Sequence, residues 1–137
     1  MIVQKLTVSE EKSVKIKAPR DVLTLNIKTY LENQDQENFV VIALNGSYRV
    51  TSMRVIFVGT VNKCLTHPRD VFRHAIMENA TGIIICHNHP SGNCTPSEDD
   101  KKTTETIRKA GEIVGIDVLD HIIIGKDDYF SFVEHNM

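Results

Sequence analysis

Two histidines lie one residue apart, at His87 and His89, and a carboxylate follows eleven residues after the second, at Asp100. The apolar run at 83–86 before them is typical of an inner strand that is covered on both faces. Residues two apart in an extended chain point to the same side, so both imidazoles are predicted to face one space. Two imidazoles placed in this way can bind a single metal ion.

The stretch TPSEDD at 95–100 predicts the start of a helix. Thr95 and Glu98 match a capping box, and Pro96 falls at the first helical position. Helical spacing then places Asp100 on the apolar face, so its carboxylate should point toward the core. Because burying an unpaired carboxylate costs several kcal/mol, a cation shared with the two histidines is the predicted partner.

Two histidines and one carboxylate form the three-ligand set of catalytic zinc sites, in which the fourth position is open to water. Zinc lowers the pKa of that water to about 7, which supplies hydroxide at neutral pH. Ser97 lies one helical turn before Asp100, and its hydroxyl is predicted to donate to the oxyanion on an attacked carbonyl. A purely structural role in the first turn is the alternative for Ser97. The pattern predicts Zn²⁺-dependent amide hydrolysis.

Helix and strand signals alternate along the chain, which favours an α/β fold with a sheet between helices. Asn45-Gly46 is the strongest hairpin signal, and Pro19 and Pro68 suit the first turns of two helices, the second of which Gly82 should end. The predicted elements are strands at 2–8 and 13–18, a helix at 19–33, two strands within 38–59, a helix within 66–82, a strand at 82–86, a helix from 95 to about 114, a strand at 116–125 and a closing strand at 129–133.

Composition limits the class of protein. A chain of 137 residues, 41% of them hydrophobic, fits a single domain over 1–137. The net charge of −2 does not support nucleic-acid binding. Cys64, Cys86 and Cys94 form no CxxC pair and their number is odd, which favours a reducing, cytoplasmic setting. No segment has the length and apolar character of a signal peptide or a membrane span, so no membrane partner is expected.

The stretch HNHPSGNCTPSEDD resembles the signature of the JAB/MPN/JAMM metalloproteases: His-x-His, seven residues, Ser, two residues, Asp. With VGTVN and HPRDVF before it and VLDHIIIG after it, the chain resembles the RadC branch over about residues 20–134. The resemblance implies that His87, His89 and Asp100 bind zinc and that Ser97 stabilises the oxyanion. It also implies a mixed, curved β-sheet flanked by helices, the cytidine-deaminase-like sandwich. RadC proteins usually carry an N-terminal helix-hairpin-helix region, which a chain of this length is expected to lack.

The general base is the one departure from the pattern. JAMM enzymes take a glutamate from an upstream strand, and many RadC-like sequences have an acidic residue four or five positions before a Gly-Thr pair. Before Gly59-Thr60 those positions hold Val55 and Arg54, and Glu37 does not fit that strand. Three explanations stay open: the activity is weak, another group serves as the base, or the module binds metal without cutting. Val55 is expected to stand in the place of the glutamate, facing the metal.

Five other residues have structural or functional interpretations. His121 is predicted to be a core residue or an outer partner of the site rather than a fourth ligand. His67 and His74 are expected to be exposed or to cap a helix, and Cys86 to pack in the core. Cys94 is expected to be a bystander in its turn, unless the loop folds inward and its thiol binds zinc.

Two functions remain open at this point. The first is a zinc-dependent hydrolase of peptide or isopeptide bonds, with Ser97 and metal-activated water as its chemistry. The second is a non-catalytic metal-binding MPN module that acts as a scaffold, with an association to DNA maintenance. The three-ligand set favours the first, and the missing glutamate favours the second.

Overall fold

The computed structural model of this protein describes residues 4–5, 14–59 and 66–137. The elements found there are β1 (Gln4–Lys5), a 3₁₀ helix (Pro19–Thr24), α1 (Ile27–Glu32), β2 (Asn38–Leu44), β3 (Val50–Val58), α2 (Pro68–Met77), β4 (Gly82–Asn88), α3 (Glu98–Val114), β5 (Asp117–Ile124) and β6 (Tyr129–Ser131).

The described strands form one mixed sheet in the order β1-β3-β2-β4-β5-β6. β4 is antiparallel to β2 and parallel to β5, and α3 provides the crossover between the parallel pair. All seven residues of β4 are buried, as expected of an inner strand. The predicted α/β fold is confirmed, and His87 lies near the end of a central strand.

Helices cover both faces of the sheet. On one face the 3₁₀ helix and α1 pack against the sheet through Val22, Leu25 and Leu31. On the other face α2 and α3 pack through residues such as Phe72 and Ile107. Strands buried on both faces need apolar side chains at every position, which explains the uninterrupted apolar runs in the sequence.

The predicted helix at 19–33 is wrong in one respect, because two short helices stand in its place. Leu25 is extended, with φ −81° and ψ 154°, and it separates the 3₁₀ helix from α1. The Thr24 hydroxyl donates to the Asp21 carbonyl at 2.7 Å, a local bond that competes with regular helix. The break lets Leu25 and Ile27 both reach the core.

The hairpin prediction is confirmed for the strands but not for a tight turn. β2 and β3 pair antiparallel, and a five-residue loop joins them instead of a two-residue turn at Asn45-Gly46. The Asn45 side-chain oxygen accepts from the backbone amides of Ser47 and Arg49 at 2.9 and 3.1 Å. Tyr48, with φ 60°, takes the left-handed conformation in this loop.

Two helix ends differ from their predicted positions. α2 ends at Met77, with Asn79 in a left-handed conformation, and Gly82 is the first residue of β4 rather than a helix stop. α3 begins at Glu98, and its N-cap is Ser97 instead of the predicted Thr95.

The N-terminal predictions fall partly outside the described residues. The strand predicted at 2–8 coincides with β1 at Gln4–Lys5 and otherwise lies beyond them. In the segment predicted at 13–18, Lys15 forms an isolated bridge with Arg49, and the Ile16 amide donates to the Tyr48 carbonyl at 2.9 Å. None of the described helices is long and apolar enough to cross a bilayer.

Candidate metal centre

Four side chains converge at the end of β4: Glu37, His87, His89 and Asp100. Each offers one ligand atom, and these four atoms all lie within 4.8 Å of one another. The Nε2 atoms of His87 and His89 are 3.1 Å apart. The structure thus brings the three predicted ligands together and adds Glu37, which the sequence analysis had set aside.

Strand β4 sets the direction of both imidazoles. His87 pairs with Phe39 of β2, whose ring stacks on the imidazole with centroids 5.8 Å apart and planes within 10°. His89 follows the strand, and its amide donates to the Ile124 carbonyl of β5 at 3.1 Å. The Nδ1 atom of His89 lies 2.8 Å from the Asn93 carbonyl, to which it must donate, so Nε2 is the ring nitrogen that faces the cluster.

Asp100 is held by the cap of α3. Its amide donates to Ser97 Oγ at 3.1 Å, and its carboxylate accepts from the Ser97 amide at 2.8 Å. The carboxylate oxygens lie 3.3 Å from His87 Nε2 and 3.1 Å from His89 Nε2. The prediction that Asp100 points inward is confirmed, although the capping residue that achieves it differs.

Glu37 overturns the expectation of a missing carboxylate. It directly precedes β2, and its Oε1 lies 3.3 Å from His87 Nε2 and 3.6 Å from His89 Nε2. Asn88 holds this segment, because its side chain accepts from the Asn38 amide at 2.7 Å and donates to the Gln36 carbonyl at 3.1 Å. Glu37 is therefore fixed between two anchored neighbours.

The expectation for Val55 is wrong. Val55 is fully buried in the cluster packed against α1, on the face of the sheet opposite the site. Arg54 pairs with Val41 in the middle of β2, away from the strand end where the site lies. β3 does not contribute to the site because β2, not β3, is the neighbour of β4.

The remaining predicted residues divide between core and surface. His121 is fully buried beside His87 and is not one of the four converging residues, as predicted, and Cys86 lies in the core. His67 is exposed, as predicted. His74 is only 3% exposed, and its Nε2 lies 3.0 Å from Ser52 Oγ, so the predicted exposure is wrong for this residue. Cys94 does not belong to the converging group of described residues.

Charge and burial oppose each other in the cluster. Burial raises the pKa of Asp100, but hydrogen bonds from His87 and His89 outweigh it and hold that pKa well below its usual range. Burial lowers the pKa of His89, and the hydrogen bonds to Asp100 and Asn93 reverse this, so the net shift is upward. For His121, burial and the nearby His87 both depress the pKa, so this ring is neutral.

The donor set fits a divalent cation. Tetrahedral bonds of about 2.0–2.2 Å separate two ligand atoms by about 3.3–3.6 Å. The distances from the histidine Nε2 atoms to each other and to the carboxylate oxygens, from 3.1 to 3.6 Å, lie close to that range. Imidazole nitrogen with carboxylate oxygen is a combination that zinc and several first-row metals accept.

The fold and the cluster together define an α/β protein with a candidate single-metal centre at the end of an inner strand. The family model for the RadC-like JAB domain matches residues 16–137, and this chain belongs to that family.

Curated relatives from several bacteria carry the name UPF0758 protein. The chain is 46% identical over 121 residues to one from Staphylococcus epidermidis and 46% identical over 122 residues to one from Clostridium botulinum, each match covering 88% of this chain. A relative from Histophilus somni is 44% identical over 114 residues, 83% of the chain. These matches cover 53%, 52% and 51% of the relatives, so the chain spans about half of their length.

Proposed function

We propose that this domain is a zinc-dependent hydrolase of amide bonds in peptides or isopeptides. The observation that carries the proposal is the position of Glu37, a carboxylate within 3.6 Å of both histidine Nε2 atoms in a two-histidine, one-aspartate cluster. Such a set supplies three ligands and, beside them, a group able to move a proton.

His87, His89 and Asp100 would hold the cation through two Nε2 atoms and a carboxylate oxygen. A zinc ion bound there acts as a Lewis acid toward a carbonyl and lowers the pKa of water to about 7. Two of these ligands lie at the end of one strand, and the third lies at the capped start of a helix. These rigid elements hold the three side chains in place before substrate binds.

Glu37 is assigned the proton transfers. Its carboxylate accepts a proton from the attacking water and returns it to the leaving nitrogen, a role worth about 10²- to 10⁴-fold in rate. The side chain is 14% exposed, so it is accessible to substrate and yet partly shielded from bulk water. The anchoring of its neighbours by Asn88 limits the positions that it can take.

Ser97 is assigned to the oxyanion. Its Oγ accepts from the Asp100 amide, so its own hydroxyl proton remains available for donation. The residue is exposed at the start of α3, where a substrate carbonyl can reach it. One hydroxyl donor aimed at the developing charge gives the stabilisation expected of an oxyanion site.

A closed, non-catalytic metal module is the second candidate. The observation that favours it is that Glu37 lies as near to His87 as Asp100 does, 3.3 Å in both cases. Four protein ligands would fill a tetrahedral shell and leave no open position, as in structural zinc sites. The two candidates differ in what Glu37 does for metal affinity.

The test measures metal content and hydrolysis in the same variants. Protein purified without chelator or histidine tag is analysed by mass spectrometry and assayed on fluorogenic peptides and isopeptides. We expect about one zinc per chain, loss of metal in Asp100→Asn, and in Glu37→Gln retained metal with hydrolysis reduced about 10²- to 10⁴-fold. Glu98→Gln, which removes a carboxylate whose side chain is 82% exposed at the same helix start, is the charge control.

Three results would decide against the proposal. If Glu37→Gln loses metal as Asp100→Asn does, the closed module is correct. If Glu37→Gln and wild type hydrolyse equally, Glu37 is not the base. If wild type binds less than about half an equivalent of zinc, neither candidate stands.

A further inference from the structure

We infer that Thr104 and His121 are positioning residues that keep the proton of His87 on Nδ1, so that its Nε2 lone pair is directed at the cation. The inference rests on the proposed metal site and adds two residues, on α3 and β5, that lie outside the four converging side chains. It follows from a continuous chain of hydrogen bonds on the protein side of His87.

This series of hydrogen bonds runs from the His87 side chain to the backbone carbonyl of Asp100. His87 Nδ1 lies 2.7 Å from His121 Nε2. The other ring nitrogen of His121, Nδ1, is within hydrogen-bond distance of Thr104 Oγ1. The Thr104 hydroxyl in turn donates to the Asp100 carbonyl at 2.8 Å.

Donation from the Thr104 hydroxyl to the Asp100 carbonyl gives these hydrogen bonds one consistent direction. A peptide carbonyl can only accept, so the single Thr104 proton goes to Asp100. Thr104 Oγ1 must then accept from His121 Nδ1, which leaves His121 Nε2 with a lone pair. That lone pair accepts the Nδ1 proton of His87, so a neutral His87 has an unprotonated Nε2 with which to bind metal.

The reverse arrangement is incompatible with a cation. If Thr104 donated to His121, then His121 Nε2 would donate to His87 Nδ1, and the proton of His87 would occupy Nε2. That proton would stand where a metal bond must form. Metal binding therefore selects the arrangement in which the Thr104 hydroxyl donates to the Asp100 carbonyl.

His89 reaches the same state by a shorter route, because its Nδ1 donates directly to the Asn93 carbonyl at 2.8 Å. For His87 the partner of Nδ1 is the His121 ring. The buried His121 ring and the Thr104 hydroxyl link His87 Nδ1 to the Asp100 carbonyl on α3. The strand that carries His87, β4, lies inside the sheet.

The packing around His121 keeps its ring from turning. The ring is fully buried and stacks on Phe132 with centroids 4.8 Å apart and planes within 6°, while Phe39 meets it edge-on at 5.9 Å. Its backbone is held in register with Ile85 of β4. A ring fixed on both sides can impose a tautomer, whereas a mobile ring could not.

The experiment compares Thr104→Val with Thr104→Ser in the full chain. Valine keeps the shape but removes the hydroxyl, and serine keeps the hydroxyl. We expect zinc affinity, measured by competition with a chromophoric chelator, to fall about 10- to 100-fold in Thr104→Val and to stay near wild type in Thr104→Ser. Thr106→Val, at an exposed position two residues along α3, controls for valine in the helix.

A spectroscopic readout tests the tautomer itself. In zinc-loaded wild type, ¹⁵N NMR of the imidazoles should place the proton on Nδ1 of both His87 and His121. His121→Gln, which can still accept from His87, should retain more zinc affinity than His121→Phe, which cannot. A loss of fold in the phenylalanine variant is detected by circular dichroism and leaves the threonine pair to decide.

The outcomes separate this inference from the proposed function. Zinc binding by wild type with equal affinities in Thr104→Val and Thr104→Ser, or an Nε2 proton on His121, would overturn the inference alone. Absence of zinc binding by wild type would overturn both.

Discussion

Asn88, the residue between the two histidines, organises the site from the other side of the strand. Alternation along β4 directs His87 into the cluster and Asn88 away from it. The Asn88 amide then bonds both residues that flank Glu37, at 2.7 and 3.1 Å. The triplet His-Asn-His thus supplies two of the candidate ligand atoms and the anchor for the Glu37 side chain.

Ser97 has a structural role that is measurable apart from any chemistry. Its Oγ caps α3 by accepting from the Asp100 amide. In chelator-treated protein, Ser97→Ala should lower the free energy of unfolding by about 1 kcal/mol, while Ser97→Thr should keep most of it. Urea unfolding checks this, with Ser47→Ala at an exposed loop position as the control. Equal stabilities of Ser97→Ala and Ser47→Ala would contradict the capping role.

At the scale of elements, the site lies where the beginning of β2, the end of β4 and the beginning of α3 meet. β2 and β4 are antiparallel, so the first residues of one lie beside the last residues of the other. α3 returns across the sheet to β5, and its packing against that strand determines where Asp100 stands.

Gly111 sets the closeness of α3 to the sheet. A Cβ atom at this position would lie 2.5 Å from the Ile116 carbonyl oxygen and 3.3 Å from Phe72. Helix propensity alone predicts that Gly111→Ala stabilises by about 1 kcal/mol. We expect the opposite, a loss of about 2 kcal/mol or more in the free energy of unfolding, because the backbone at Ile116 must move to admit the added methyl group.

Chemical denaturation compares Gly111→Ala with Gly46→Ala, since among the described residues no atom beyond the chain neighbours lies within 4 Å of a Cβ at Gly46. A stability of Gly111→Ala at or above wild type would show that α3 is free to shift.

At the scale of the whole molecule, a buried carboxylate ties β5 to the C-terminal segment. Asp120 is 3% exposed and accepts from Ser131 Oγ at 2.6 Å, from the His121 amide at 2.7 Å and from the Val133 amide at 3.1 Å. Burial nevertheless dominates and raises the pKa of Asp120 above its ordinary value.

A raised pKa in the folded state gives a pH dependence of known sign. The native state holds the Asp120 proton more tightly than the unfolded chain does. The stabilisation from this protonated carboxyl is therefore fully present below about pH 4, and it is lost as pH rises through the folded-state pKa. We expect wild type to lose stability relative to Asp120→Asn as pH rises from about 4. Urea titrations at a series of pH values measure this, with exposed Asp127→Asn as the control. A stability difference independent of pH would contradict it.

The sequence by itself determined the local chemistry of the site. Alternation in β4 placed two imidazoles on one side, and the phase of α3 turned Asp100 toward them, because both effects act within one element. The antiparallel pairing of β2 with β3 and the strand-helix-strand order over residues 82–125 followed from turn residues and periodicity for the same reason. The predicted start of α3 was two residues too early. Thr95 and Ser97 are both suitable N-cap residues, and only packing selects one of them.

Only the tertiary structure decided which distant side chains join the site. Glu37 reaches it because β2 lies between β3 and β4 in the sheet, an order that no local pattern encodes. Asn38 and Asn88 bond across a separation of 50 residues, and His87 and His121 across 34. Such contacts depend on which strands pair and in which register, and that choice is made by burial of both faces of the sheet at once.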